Sequence, residues 1–328
     1  MVHAAVHGAR GYLGRELVRI LLQHPDVDGV VPVSSTAAGE GYGAHVPAFR
    51  HTGLVLRGPD DGAARDADVH FLALAHGEAG AMVPSLVRHG ARLIIDLSRD
   101  HRASALRGED GWSYGLADLR PVPRGQRLVA NPGCYPTAAA LAAAPVLRAG
   151  LAGDGAIIVD GKSGVSGAGA TPRADLHFPE QNEALRAYKV LGHDHGPEIR
   201  MSLAAERQAT KERRVRFTPH LVPMNRGLLA TVYVPLAGGT GAEEVRRAYA
   251  AYATSAFVHV VPEPDTAHVR GGNHAHVAAD ADPESGLLVA RAAIDNLVKG
   301  GSGQAVQNMN DALGLPPTRG LLHIGGAP

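Results

Sequence analysis

The sequence predicts an α/β fold, in which a parallel sheet wound by helices is joined to a second α+β domain with a mostly antiparallel sheet. Three observations carry this reading. A short apolar strand, a glycine triplet and an amphipathic helix open the chain. Apolar strands then alternate with helical patterns as far as about Leu147, the signature of parallel β-α-β units. Beyond Arg148 several strands follow one another with a single helix among them, as an antiparallel sheet requires.

At 328 residues the chain is long enough for two domains with their own cores. Lys+Arg and Asp+Glu both number 32, so nothing in the charge balance points to nucleic acid as a partner. One cysteine excludes an internal disulfide and a cysteine-based zinc knuckle and suits a reducing compartment. The first residues already read as a strand, and no apolar run reaches membrane-spanning length. The expectation is a cytoplasmic protein with neither a membrane nor a nucleic-acid partner.

Val2–Val6 is the first strand, and Gly8-Ala9-Arg10-Gly11-Tyr12-Leu13-Gly14 is the turn after it. A helix is predicted from Tyr12 to Gln23, with Leu13, Leu17, Ile20 and Leu21 on one face. Strand, glycine turn and helix together aim backbone N–H groups at a pyrophosphate, which makes this a Rossmann-type dinucleotide site. The next strand, Gly29–Val33, ends in Ser34-Ser35-Thr36, where such a fold meets the adenosine ribose. Three hydroxyls and no acid at this turn favour NADP over NAD. Asp68–Leu74 and Leu93–Ile95 are further buried strands, ending at Ala75-His76-Gly77 and Asp96-Leu97-Ser98. Loops at these C-terminal strand ends build the site, which makes His76, Gly77 and Ser98 candidates for the coenzyme.

Arg127–Ala130 delivers Asn131-Pro132-Gly133-Cys134-Tyr135-Pro136-Thr137, followed at once by an Ala-rich helix to about Leu147. Cys134 thus lies where a helix opens, beside roughly half a positive charge, which favours thiolate over thiol. It is the candidate nucleophile. In the second domain a strand at Ala156–Asp160 precedes Gly161-Lys162-Ser163-Gly164-Val165-Ser166-Gly167-Ala168-Gly169, predicted as a flexible anion-binding loop. His193 and His195, with Glu198 beyond them to orient a ring, stand before a helix running to about Arg207 and are candidates for acid–base work. Strands are predicted at Val215–Leu221, Leu228–Val234, Phe257–Val261 and Leu287–Ile294, with a helix at Ala242–Ala253 and a last helix at Gly303–Leu313. Arg226 and Arg270 sit in glycine turns suited to a bidentate carboxylate or phosphate clamp. The rival use of the histidines is a metal site with His268, His274 and His276, as in a metal-dependent hydrolase. A non-catalytic NADP-binding protein is a further alternative.

A thiolate, a histidine, a nicotinamide site and anion-binding turns suit one reaction: attack on an acyl phosphate, a thioester, then reduction to an aldehyde. These motifs resemble the N-acetyl-γ-glutamyl-phosphate reductase family, relatives of aspartate-semialdehyde dehydrogenase. The resemblance runs from Gly8–Gly14 through Asn131–Thr137 and His193–Ile199 to Asp295–Asn310. It implies Cys134 as the thioester-forming residue and His193 or His195 as the acid–base group, with His195 favoured. It further implies NADPH bound by the glycine loop, Ser34–Thr36, His76, Gly77, Ser98, Ser166, Gly167 and Asn296. Asn131, Lys162, Ser163, Arg102 and Arg226 fall to the acyl-phosphate substrate. The implied domains are 1–147 completed by a C-terminal helix of about 302–328, and 148–301 for catalysis and dimerisation, in a homo-oligomer (dimer or tetramer). Family members often carry an arginine where Thr36 stands, and Asp194 stands between the histidines in place of an arginine. A sister family reduces a carrier-protein-linked aminoadipyl phosphate in lysine synthesis; the Cys-Tyr-Pro-Thr turn fits the arginine-pathway enzyme better.

Overall fold

The computed structural model describes residues 1–206 and 214–325. It divides into two compact units, 1–132 with 301–323, and 133–300 with the residues from 324 onward.

The first unit holds six strands: β1 Val2–His7, β2 Val27–Val33, β3 Val69–Leu72, β4 Leu93–Asp96, β5 Trp112–Tyr114 and β6 Leu128–Ala130. They form one sheet in the order β2-β1-β3-β4-β6-β5, and every pairing is parallel. Strands covered on both faces read as short continuous apolar runs, which is why Val69–Leu72 and Leu93–Asp96 are buried at every position. β5 is only three residues long, too short to leave a periodic pattern in the sequence. The first helix spans Tyr12–Leu21 and buries Leu17, Val18, Ile20 and Leu21. The expected terminal helix of about 302–328 is shorter: it spans Gly303–Leu313 and stops on Gly314 in the left-handed conformation (φ 72°). Residues 326–328 of that expectation lie outside the described residues. The helix packs on Tyr12–Leu21 and β4, so chain ends meet in one core.

His7 and His70 face each other inside this unit, Nε2 to Nδ1 3.2 Å. Burial lowers His7 to about 3 and His70 to about 4. An unfolded histidine takes its proton near 6.5, so the unfolded chain binds more protons between those values. Stability therefore rises with pH across that window and is lost as pH falls from about 6.5 through 4. We expect the thermal midpoint to fall over that interval and to fall less in His70→Leu; an equal slope in the variant contradicts this assignment.

The second unit holds β7 Ile157–Gly164, β8 Arg186–Ala187, β9 Val215–Val222, β10 Leu228–Pro235, β11 Val258–Val260, β12 Ala275–Asp282 and β13 Leu287–Ile294. The sheet order is β11-β12-β13-β10-β7-β9-β8. Only the β11–β12 and β7–β9 pairs are parallel. The helix Cys134–Arg148 has thirteen of its side chains buried. A helix apolar on all sides belongs in a core, and this one packs on β10, β13 and the helix His195–Ala205. That packing groups it with the second unit, whereas the sequence expectation kept residues to 147 in the first.

The structure departs from three sequence expectations in this unit. Residues 161–164 are no flexible loop: β7 continues through them, paired to β10 and β9, and only Val165–Ala168 turns as a 3₁₀ segment. The glycines serve close packing, since a Cβ on Gly161 would meet the Tyr135 ring at 2.4 Å. The predicted strands also omitted β12. The helix expected to reach Arg207 ends at Ala205, and Arg207 lies outside the described residues.

Candidate active site

The glycine turn expected to hold a coenzyme lies in the first unit. Gly8 has φ +77°, and a Cβ there would lie 2.2 Å from the Ala73 carbonyl oxygen. A Cβ on Gly14 would lie 2.3 Å from the Gly8 carbonyl. Only glycines let the turn fold back so tightly. The Gly11 N–H donates to Gly8 O (3.0 Å), and Gly11 opens the helix Tyr12–Leu21. The turn borders a cavity of about 770 Å³ lined by Gly8, Arg10, Gly11, Ser34, Ser35 and Thr36 from the predicted set. The cavity has the size of a ligand pocket, and its glycine cradle fits a dinucleotide pyrophosphate. Arg65, Asp60, Glu78 and His89 also line it; lying in stretches without a motif, they were not legible in the sequence.

Other predicted coenzyme residues have internal duties. Tyr42 donates to the Ala9 carbonyl (2.8 Å), and Ser302 donates to that of Leu13 (2.8 Å). The Gly77 N–H meets the Asp100 carboxylate at 2.8 Å, so an acid of this unit holds the opening of the helix Glu78–Arg88. His76 Nδ1 accepts the Arg99 N–H (3.1 Å). Ser98 Oγ donates to the buried Asp96 (3.0 Å), which also holds His101 Nδ1 at 2.7 Å.

Arg102 and Asn131 belong to the first unit as well. Arg102 is buried, donating to the carbonyls of Asn131 (2.8 Å) and Leu97 (2.7 Å). Asn131 donates to Gly301 O (3.2 Å) and accepts from Asn308 (2.9 Å). Both therefore fix the turn that leads toward the cysteine.

The second unit begins at Gly133, the N-cap of the cysteine helix, so Cys134 is the first helical residue, partly exposed. The N–H groups of a first turn have no partner within the helix and favour negative charge there. Glu198, buried in the first turn of His195–Ala205, accepts the Gly133 N–H with Oε1 at 2.9 Å. Glu198, expected from the sequence to orient a histidine ring, also holds the cysteine turn through this bond. Tyr135 brings the histidines in: its ring centroid lies 5.8 Å from His193 and 6.0 Å from His195, edge-on to both. Its hydroxyl donates to His220 O (3.0 Å), and burial raises its pKa far above the usual value.

His193 is held by its neighbours. The His195 backbone N–H donates to His193 Nδ1 (3.0 Å), and His193 Nε2 stands 3.3 Å from the Tyr188 hydroxyl. Burial, with Lys189 adding to it, lowers His193 to about 4. His193 is thus neutral near pH 7, with one ring nitrogen tied to the backbone. Burial also pushes the Tyr188 hydroxyl up to about 12.

The turn Asp295–Gly300 closes on the cysteine. A Cβ on Gly300 would lie 2.7 Å from Cys134 Cβ, a contact that no local motif records. Arg226 grips Asp295 with two donors at 3.0 and 3.1 Å, and the Leu297 and Val298 N–H groups donate to the same carboxylate. The expected substrate clamp is first a brace for this turn. Asn296 accepts from the Gly227 N–H (2.8 Å) and donates to Ser166 Oγ (2.9 Å), with Gly167 beside them. Lys162 pairs with Asp160 at 2.8 Å, and Ser163 is buried, its Oγ donating to Gly164 O (3.1 Å). Arg270 lies in the turn whose Gly271 N–H donates to Asp295 (2.6 Å).

His259, His268, His274 and His276 gather by β11 and β12, with His259 Nε2 3.0 Å from His274 Nδ1. Among the described residues, no three His, Cys, Asp or Glu side chains are placed to hold a metal ion. Among those residues, too, no helix is long and apolar enough to cross a membrane.

Residues 3–125 match the family model described as semialdehyde dehydrogenase, NAD binding domain, and residues 134–296 match semialdehyde dehydrogenase, dimerisation domain. The chain is 42% identical to an N-acetyl-gamma-glutamyl-phosphate reductase of Moorella thermoacetica, over 98% of both chains. It is equally identical to the protein of that name from Symbiobacterium thermophilum, over 99% of this chain and 98% of the relative. Among solved structures, aspartate semialdehyde dehydrogenase II from Vibrio cholerae superposes with a TM-score of 0.75 at 17% identity, covering 94% of this chain and 98% of that one. The aspartate semialdehyde dehydrogenase with NADP from Candida albicans gives 0.73 at 15% identity, covering 96% and 99%. At these identities the structures speak for the fold.

Proposed function

The chain belongs to the N-acetyl-γ-glutamyl-phosphate reductase family, and from that premise we propose that Cys134 carries the acyl group in its reaction. The reaction is the reduction of N-acetyl-L-glutamyl 5-phosphate to N-acetyl-L-glutamate 5-semialdehyde and phosphate. The observation that carries the assignment is the gathering, in one unit, of the only cysteine at a helix start with His193 and His195 around Tyr135.

The Cys134 thiolate attacks C5 of the acyl phosphate, the C–S bond forms, and the C–O bond breaks as phosphate leaves with its electron pair. N–H groups of the first helical turn stabilise the oxyanion that forms between. When bound, the nicotinamide coenzyme supplies hydride to the acyl carbon. The electron pair of the C–S bond returns to Cys134, and the aldehyde departs. His195 handles the proton in this account, because His193 is committed to the backbone and stays neutral down to about pH 4. Glu198 and Gly300 set where the sulfur stands.

The coenzyme is NADPH, by the three hydroxyls and absent acid at Ser34–Thr36. The protein works as a homo-oligomer: helices cover one face of its seven-stranded sheet, and the other carries half-buried Leu229, Thr231, Tyr233 and Val289. A reducing compartment, the cytoplasm, suits chemistry that depends on one thiol. Run backwards, N-acetylglutamate semialdehyde, NADP⁺ and phosphate should yield NADPH only when all three are present. NADPH formation without phosphate, or with the aminoadipyl analogue alone, overturns the assignment.

A further inference from the structure

We propose that Arg10 and Arg65 together read the 2′-phosphate of the coenzyme, so that NADPH preference resides in the glycine turn and in the short helix Gly62–Arg65. This rests on the reading that a dinucleotide fills the cavity of the first unit, and it adds which residues choose between the two coenzymes.

The turn after β2 contributes only hydroxyls, from Ser34, Ser35 and Thr36. Hydroxyls accept and donate hydrogen bonds but leave a phosphate dianion uncompensated. Arg10 Nη1 donates to Thr36 Oγ1 at 2.9 Å, which draws the guanidinium from the glycine turn over to this strand end. A guanidinium has five donors in a planar fork, so one bond to a hydroxyl leaves the fork able to take a phosphate edge. Arg65 lines the same cavity. Its pairing with Asp66, Nε to Oδ1 3.0 Å, is exposed on both sides, and such pairs contribute little and exchange readily.

The lining also holds two carboxylates. Glu78 opens the helix Glu78–Arg88, and Asp60 precedes the helix that ends on Arg65. No carboxylate stands at positions 34–36, where a bare ribose diol would seek its acceptor. Arg10 at that turn, which has no acid, and Arg65 in the same cavity select the phosphorylated ribose.

The test is calorimetric binding of adenosine 2′,5′-bisphosphate and of ADP to the full-length protein, which isolates recognition from turnover. The parent should favour the 2′-phosphorylated probe by at least about tenfold. Arg10→Gln should cut that affinity by about 10- to 100-fold, the size of a lost charge-assisted bond. Arg65→Gln should cut it less, and the double variant should erase the preference while ADP binding stays within about twofold. In kinetics, KM for NADPH should rise in the same order and KM for NADH should not. Equal loss for both probes, or a preference intact in the double variant, overturns the proposal while leaving NADPH as coenzyme. A parent that binds both probes equally overturns the coenzyme reading along with it.

Discussion

Cys134→Ser is expected to lower reduction of the acyl phosphate by at least about 10³-fold, with the fold intact. The serine hydroxyl is almost wholly protonated at neutral pH and leaves poorly from an ester. The same half positive charge at the helix start that favours a thiolate is too weak to ionise it. Serine is nearly isosteric and the position is partly exposed, so the thermal midpoint should move little. Coenzyme binding should persist, because the cavity is lined entirely by residues of the other unit. A serine variant with more than a few per cent of parental activity contradicts the nucleophile assignment.

Gly300→Ala should also be damaging, though less than Cys134→Ser, and Gly300 bears no reactive group. The added methyl would lie 2.7 Å from Cys134 Cβ and 3.2 Å from Ile294 Cδ1. Its obstacle is the base of a helical side chain, which has no rotamer to yield, so helix start or turn must move. Overpacking of this kind costs about 1–3 kcal/mol. A displacement of about 1 Å at a nucleophile can cost about 10²-fold in rate. We expect kcat to fall by that order and the alkylation rate of Cys134 to change with it. Unchanged kcat and alkylation in a folded variant would show that the turn does not position the sulfur.

Both consequences were only half legible in the sequence. The cysteine turn was readable because Gly133, Cys134 and Pro136 are local signals at a helix start. The strands of the first sheet were readable because buried parallel strands are short apolar runs. Gly300 was not, since its reason is a contact with a residue 166 positions earlier, and no local pattern records it. Gly161 and Gly164 misled in the opposite sense: glycine density resembles a mobile loop, and here it lets Tyr135 and the carbonyls of Met224 and Asn225 approach a strand. β12 was hidden by its composition, alanines and acids with Val277 the only β-branched residue. Helical register makes a partner of Glu198 on its own helix readable, whereas its bond to Gly133 joins residues 65 positions apart and leaves no local pattern. Arg226 was legible as a bidentate arginine, and its partner is a buried carboxylate of this chain.

The acyl group is expected to reside on Cys134 between release of phosphate and arrival of hydride. The most direct measurement is the intact mass of the enzyme mixed with N-acetyl-L-glutamyl 5-phosphate in the absence of reduced coenzyme, followed by peptide mapping. The predicted result is one N-acetylglutamyl adduct on the peptide containing Cys134, labile to hydroxylamine and discharged as semialdehyde when NADPH is added. An enzyme that turns over the substrate yet forms no adduct, or forms it on another residue, would contradict the account.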